Sequence, residues 1–153
     1  MAFQISSPAF GNNSPIPKRH TCDGENRSPG LAWTGAPAET KSFALICDDP
    51  DAPMGTWVHW VMFGIPANCA TLAEGVPAQA QMPDGSLQGI NSWGKPGYGG
   101  PCPPRGKPHR YYFKLYALDA ALSLPPQATK QTLLDAMRGH VLAESQWMGT
   151  YGR

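Results

Sequence analysis

Three aspartates stand close together at Asp48, Asp49 and Asp51, and Pro50 and Pro53 flank the last of them. Carboxylates at this spacing repel one another, so a cation, backbone N–H groups or a histidine must compensate for their charge. One interpretation is an Asx-type turn between the prolines, which would be a structural feature only. A calcium-binding loop fits less well, because no Glu follows at the offset that such a loop requires.

Two histidines stand at comparable places in the chain. His59 lies inside an apolar run, and His109 follows a segment, residues 93–108, that holds five glycines and five prolines. A histidine in an apolar strand is more often a core residue than a ligand, but binding residues concentrate where strands meet loops. Because Asp49, His59 and His109 all lie where an apolar strand meets a rigid loop, the sequence groups them as candidates for one site.

Runs of branched and aromatic residues predict three main strands and two weaker ones, at residues 42–47, 56–65 and 111–118, then around Ile5 and at 31–33. Within the second main strand, a period of two places His59 on one face with Trp57, Val61, Phe63 and Ile65. The same period turns Arg110 away from His109, so Arg110 is expected to be structural and to pair with an aspartate.

The composition is typical of a small folded protein rich in β-structure. With 153 residues, 41% of them hydrophobic and 15% charged, the chain fits one domain spanning residues 1–153. Glycine and proline number 17 each, which indicates many turns and argues against a helical bundle. Helix is predicted only near the end, at residues 129–138 and, for a further turn or two, at 141–147.

Charge and targeting signals narrow the function classes. The net charge is +1 with no basic stripe or acidic tail, so we expect no nucleic-acid partner and no membrane binding. No signal peptide or bilayer-spanning run is visible, which predicts a cytoplasmic protein. In that compartment we expect reduced thiols and no zinc site at Cys22, Cys47, Cys69 and Cys102, whereas export would allow one bridge.

The motifs, taken in order, resemble those of the phosphatidylethanolamine-binding proteins, also called Raf kinase inhibitor proteins, in their short bacterial branch. The segments that carry the resemblance are Asp-Pro-Asp-Ala-Pro at 49–53, Trp-x-His-Trp at 57–60, Gly-Pro-Cys-Pro-Pro-x-Gly at 100–106 and His-Arg-Tyr at 109–111. The resemblance covers nearly the whole chain. It implies a mainly β, antiparallel Greek-key β-sandwich with C-terminal helices and one small anion pocket.

The resemblance also implies which residues form that pocket. Asp49, His59 and His109 match the family's pocket residues, and Tyr111 matches a tyrosine that lines it. A wall and backbone N–H donors would come from the loop that holds Gly100, Pro101 and Cys102. The expected ligand is a small anion such as phosphate, phosphoethanolamine or a carboxylate.

Elementary chemistry agrees with this placement. Two imidazoles can donate two N–H bonds to the oxygens of an anion, and we expect Asp49 to hold one ring in the tautomer that donates. A nearby carboxylate also favours a protonated imidazole. Binding is therefore expected to weaken as the pH rises and the histidines lose their protons.

An enzyme is the main alternative. Cys102, His109 and Asp49 could supply the thiol nucleophile, base and orienting carboxylate of a hydrolase acting on a small ester or phosphoester. Cys102 lies between two prolines, without a following helix start that would activate a thiolate. The sequence therefore favours a binding protein without enzymatic activity, cofactor or metal. Inhibition of a kinase or protease through the pocket rim stays open, as does a homodimer formed through exposed aromatic residues.

Overall fold

Strands dominate the fold. Over residues 2–153, the range that the computed structural model describes, the chain forms nine strands, one α-helix and a short 3₁₀ turn at Lys18–His20. The strands are β1 (Gln4–Ser6), β2 (Ser14–Pro15), β3 (Leu31–Thr34), β4 (Ser42–Asp49), β5 (Trp57–Pro66), β6 (Thr71–Leu72), β7 (Leu87–Gln88), β8 (His109–Leu118) and β9 (Val141–Tyr151). The helix α1 spans Lys130–Met137. The mainly β class and the five predicted strands are confirmed.

The strands form two sheets. The larger sheet has six strands in the order β2-β9-β8-β4-β5-β7, and the smaller has three in the order β1-β3-β6. Neighbouring strands are antiparallel except β2 and β9, which are parallel. A Greek key has the strand order 4-1-2-3. The four long strands run β5-β4-β8-β9 instead, so the expected Greek-key connection is not confirmed.

Apolar clusters cover both faces of the larger sheet. One cluster joins side chains from both sheets, including Ile5 and Trp33 of the smaller sheet and Phe113 of the larger one. The other cluster lies beneath α1, which contributes Leu133 and Met137. Because β4 is covered on both sides, every residue of this strand is buried, including its two terminal aspartates.

The C-terminal region differs from the prediction in one element. The helix matches it, with Thr129 as N-cap and Gly139 at φ 79° just past the end. The further helix expected at 141–147 is wrong, because these residues belong to β9, which pairs with β8 along its whole length. The prediction of C-terminal helices thus reduces to one helix. No helix within the described range is long and apolar enough to cross a membrane.

A disulfide joins Cys22 to Cys102, which are 80 residues apart in the sequence. The expectation of reduced thiols is therefore wrong for this pair, whereas Cys47 and Cys69 are unbridged. The two half-cystines meet only because the loop after the 3₁₀ turn packs against the loop before β8. Scattered spacing in the sequence carries no sign of that contact.

Removal of the disulfide should destabilise the protein. A cross-link between distant residues restricts the unfolded chain, so we expect the Cys22→Ala/Cys102→Ala variant to lose about 2–4 kcal/mol of unfolding free energy. Urea unfolding without reductant measures the difference. Cys69→Ala, which removes an unbridged thiol, is the control and should lose less than about 1 kcal/mol. Equal losses in the two variants would contradict the prediction.

Candidate functional site

Two of the three clustered aspartates have partners outside the candidate site. Asp48 is buried on the sheet face that carries α1, and its carboxylate lies 3.3 Å from the ammonium of Lys114 and 2.6 Å from that of Lys130. Asp51 lies beyond β4 and accepts hydrogen bonds from the Arg110 guanidinium at 2.8 and 2.9 Å. The bonds from Arg110 lower the pKa of Asp51 to about 2. The structural pairing predicted for Arg110 is therefore confirmed.

Asp49 faces the opposite side of the sheet and is only 3% exposed. One of its carboxylate oxygens accepts the N–H of Asp51 at 2.7 Å, which closes the Asx-type turn. The other lies 2.7 Å from Nδ1 of His109, the first residue of β8. Because a carboxylate accepts hydrogen bonds, Nδ1 of His109 carries the proton of this pair.

An extra residue in β5 directs His59 to the same side of the sheet. Cys47 pairs with Trp60 and Asp48 pairs with Val58, so His59 has no partner across this part of the ladder. Such a β-bulge interrupts the alternation of side chains along a strand. The side chains of His59 and of its neighbour Trp60 therefore lie on one side of the sheet.

Because of the bulge, the side chains of β5 do not share faces as predicted. Val61 and Phe63 pack beneath α1, whereas Ile65 returns to the core between the sheets after a second shift in register. His59 shares its face with Trp57, but not with Val61 or Phe63 as a strict period of two predicts.

Protein contacts hold the His59 ring in one orientation. Its Nδ1 lies 2.7 Å from the carbonyl oxygen of Gly99, and its ring packs edge-on against Trp93 and Tyr111, with centroids 5.1 Å apart in both pairs. A carbonyl only accepts, so Nδ1 carries the proton and Nε2 is left for a ligand. Burial lowers the pKa of His59, with the Gly99 bond opposing part of this effect, which favours the neutral ring.

The tautomers differ from the one expected. Both Nδ1 atoms donate to protein acceptors, so neutral His59 and neutral His109 offer Nε2 as an acceptor. Asp49 does fix the tautomer of His109, but it is not the tautomer that donates to an anion. Each ring can donate to a bound anion only after its Nε2 has gained a proton.

These side chains line a cavity of about 320 Å³. Four polar residues contribute to its wall, namely Asp49, His59, His109 and Tyr111. The other lining residues are mostly apolar and include Met54, Trp57, Trp93, Pro103 and Pro104. An apolar cavity with a few convergent polar groups is typical of a small-molecule site.

Tyr111 is a further polar residue of this wall, and its hydroxyl can donate a hydrogen bond. Burial, followed by the negative charge of Asp49, raises the pKa of Tyr111, so the phenol stays protonated. It therefore complements the two Nε2 acceptors when the histidines are neutral.

Gly100 and Pro101, predicted as site residues, are not among the described residues that line the cavity. The N–H of Gly100 donates to Oδ1 of Asn26 at 2.8 Å, and the carbonyl of Pro101 accepts the N–H of Cys22 at 3.1 Å. A Cβ on Gly100 would overlap the backbone of the facing loop. Gly100 and Pro101 therefore connect their own loop to the loop that holds Cys22 and Asn26. The N–H of Gly100, which was expected to donate to a ligand, already donates to Asn26. Cys102, the next residue, does line the cavity.

Cys102 presents no thiol, because it is half of the disulfide. The thiol nucleophile considered for a hydrolase is therefore missing from the oxidised protein. Across residues 2–153, no group of three or more His, Cys, Asp and Glu side chains is placed to hold a metal ion.

Sequence reasoning missed most of the apolar lining. Trp57 carries a usable signal, since it precedes His59 by two residues in a strand, and Pro103 adjoins Cys102. Met54 and Trp93 lie on separate loops, and only the folded chain brings them to the cavity.

Comparisons with known proteins agree with one another. A family model for "Phosphatidylethanolamine-binding protein" matches residues 6–152. A UPF0098 protein of Methanothermobacter thermautotrophicus is 55% identical over 151 residues, 99% of either chain. Another from Aquifex aeolicus is 47% identical and is matched over 99% of this chain and 89% of its own.

Solved structures lead to the same group of proteins. A phosphatidylethanolamine-binding protein homologue of Chlamydia trachomatis superposes with a TM-score of 0.91 at 43% identity, over 99% of this chain and 98% of that one. Escherichia coli YbcL, a member of the mammalian PEBP family, superposes with a TM-score of 0.93 at 32% identity, over 100% and 99% of the two chains.

The buried histidines predict that mild acid destabilises the fold. Burial lowers the pKa of both His59 and His20, whose ring is fully buried. As the pH falls through about 6.5, the unfolded chain takes up protons on these residues that the folded chain does not. The unfolding free energy should therefore be greatest above about pH 7 and should fall progressively as the pH drops below about 6.5. Urea unfolding in buffers without phosphate or sulfate measures it.

Matched variants separate these two rings from other titrating groups. His20→Asn/His59→Asn retains a donor near each Nδ1 position and removes the titration, so its stability should fall less with pH. His140→Asn changes a half-exposed ring and should retain the wild-type fall. A double variant with the full wild-type pH dependence would show that other groups cause it.

Proposed function

The chain belongs to the phosphatidylethanolamine-binding protein family, and on that basis we propose that it binds a small oxyanion in the cavity between His59 and His109. Suitable ligands are phosphate, a phosphoethanolamine group or a small carboxylate. One observation carries the proposal: protein acceptors fix Nδ1 of both rings, and each ring has Nε2 left for the shared cavity.

Proton uptake is part of the proposed binding. A fully deprotonated oxyanion needs an imidazolium to donate to it, and Asp49 can balance the charge that His109 then gains. A ligand that retains an acidic hydroxyl can instead donate to a neutral Nε2. The Tyr111 phenol supplies a further donor, and the apolar lining strengthens each polar contact by excluding water.

We propose that the cavity binds its ligand without turnover. The absence of a thiol at Cys102 in the oxidised protein supports this, because the hydrolase alternative used that thiol as its nucleophile. Assays with nitrophenyl acetate and nitrophenyl phosphate test the point. A turnover that disappears in His109→Asn would establish an enzyme instead.

One observation favours a second role, in which a protein partner docks on the rim of the cavity. Met54 is 96% exposed and Trp93 is 43% exposed, and both line the cavity. Exposed apolar residues beside a pocket are typical anchors for a partner. A kinase or protease that uses this rim should lose binding to Met54→Ser and should compete with phosphate in a pull-down.

Sulfate affinity should fall as the pH rises. Sulfate carries no proton in the neutral range, so it depends on protonated His59 or His109 for donors from these rings. We expect its dissociation constant, measured by isothermal titration calorimetry, to increase at least about tenfold between about pH 5.5 and 8. A constant affinity over this range would show that the imidazoles are not the donors.

Removal of either Nε2 should weaken phosphate binding. His59→Asn and His109→Asn retain a donor for Gly99 and Asp49 respectively, so we expect little change in the unfolding midpoint. Loss of a hydrogen bond to a charged ligand should raise the dissociation constant at least about tenfold. His140→Asn is the control and should bind like the wild type. Normal phosphate binding by both cavity variants would refute the proposed site.

A further inference from the structure

The disulfide forms part of the cavity wall. Cys102 lines the cavity together with Pro103 and Pro104, and we call residues 102–104 the wall segment. The partner half-cystine, Cys22, belongs to a different loop and is not one of the described lining residues. Both half-cystines are exposed to solvent, so a thiol reagent can reach the bridge.

Few hydrogen bonds hold the wall segment, in which Pro103 is buried. In the described chain, residues 101–108 belong to no strand or helix. The carbonyl of Pro101 accepts the N–H of Cys22 at 3.1 Å, and the carbonyl of Pro103 accepts Nε of Arg153 at 2.8 Å. Arg153 is itself held by a half-exposed ion pair with Asp23, the neighbour of Cys22. The disulfide and the Asp23–Arg153 ion pair therefore both connect the wall segment to the short loop that holds Cys22 and Asp23.

We propose that the Cys22–Cys102 disulfide is a redox latch on the cavity, which holds the wall segment against the anion site when oxidised and releases it when reduced. The inference rests on the proposed function, since it concerns the regulation of the same cavity. With the bridge open, the wall segment gains freedom that a bound ligand must remove, and this lowers affinity. Cys47 and Cys69 take no part, because neither lines the cavity among the described residues.

The reductant is a dithiol. One of its thiolates attacks a sulfur of the bridge and forms a mixed disulfide, which releases the other cysteine as a thiolate. The second thiol of the reductant then displaces the remaining cysteine. Two electrons and two protons pass to Cys22 and Cys102, and the reductant leaves as a disulfide. In a reducing compartment such as the cytoplasm, the protein disulfides of mesophiles are usually transient and either catalytic or redox-sensing.

Phosphate titration of the oxidised and the dithiothreitol-reduced protein tests the latch, with both states held at the same pH of about 6, near the pKa of an ordinary imidazole. Thiol titration should report two new thiols after reduction. We expect the dissociation constant for inorganic phosphate to rise about five- to tenfold. Cys22→Ser breaks the bridge without replacing a residue that lines the cavity, so it should bind phosphate weakly with or without dithiothreitol. Cys69→Ser is the control and should respond to dithiothreitol like the wild type.

Hydrogen exchange shows whether the effect is local. Reduction should increase exchange at residues 101–108 and leave β4, β5 and β8 protected. Loss of protection throughout the protein would show that the bridge stabilises the whole fold, and this would overturn the latch. Equal phosphate affinity in both redox states, or a bridge that resists dithiothreitol in the folded protein, would also overturn it while the proposed function stands. Failure of the oxidised protein to bind phosphate would overturn both.

Discussion

The candidate site depends on a single extra residue in β5. Regular alternation would place His59 on the face covered by α1 if Val61 and Trp60 kept their own faces, and the cavity would then hold one histidine. The bulge between Val58 and Trp60 lets His59 point toward His109 while Trp60 stays in the core between the sheets. The strand thus satisfies two requirements that a strict period of two cannot meet together.

Polar rings in an apolar wall must have their hydrogen bonds satisfied, and this requirement decides the chemistry of the cavity. The carbonyl of Gly99 and the carboxylate of Asp49 accept hydrogen bonds from the Nδ1–H groups of His59 and His109, which leaves Nε2 of both rings for a ligand. The same bonds make the neutral site rich in acceptors, although its expected ligand is an anion. Under the proposed anion binding, proton uptake resolves this mismatch, so the affinity for the anion depends on the protonation of the rings. Burial of His59 opposes the uptake and lowers its pKa.

Strand and loop signals, which are local, singled out Asp49, His59 and His109, whereas Tyr111 came only from the family resemblance. Asp49 ends an apolar strand and His109 begins another, so strand pairing brings them together. The orientation of His59 was out of reach, because a bulge depends on how two strands pair and leaves no mark in the hydrophobic pattern. The residue pattern of 141–147 is compatible with a helix or a strand. The strand forms because these residues pair with β8. The bridge at Cys102 depends on contact between loops 80 residues apart.

The prolines of the wall limit the backbone hydrogen bonds that can hold that loop in place. Pro101, Pro103 and Pro104 have no N–H, so the chain there cannot complete a β-ladder with a neighbouring strand. Its carbonyls can still accept, and they do so from Cys22 and Arg153. Besides these two bonds, the burial of Pro101 and Pro103 and the disulfide hold the loop. Under the proposed latch, the bridge sets the position of this proline-rich wall relative to the imidazoles.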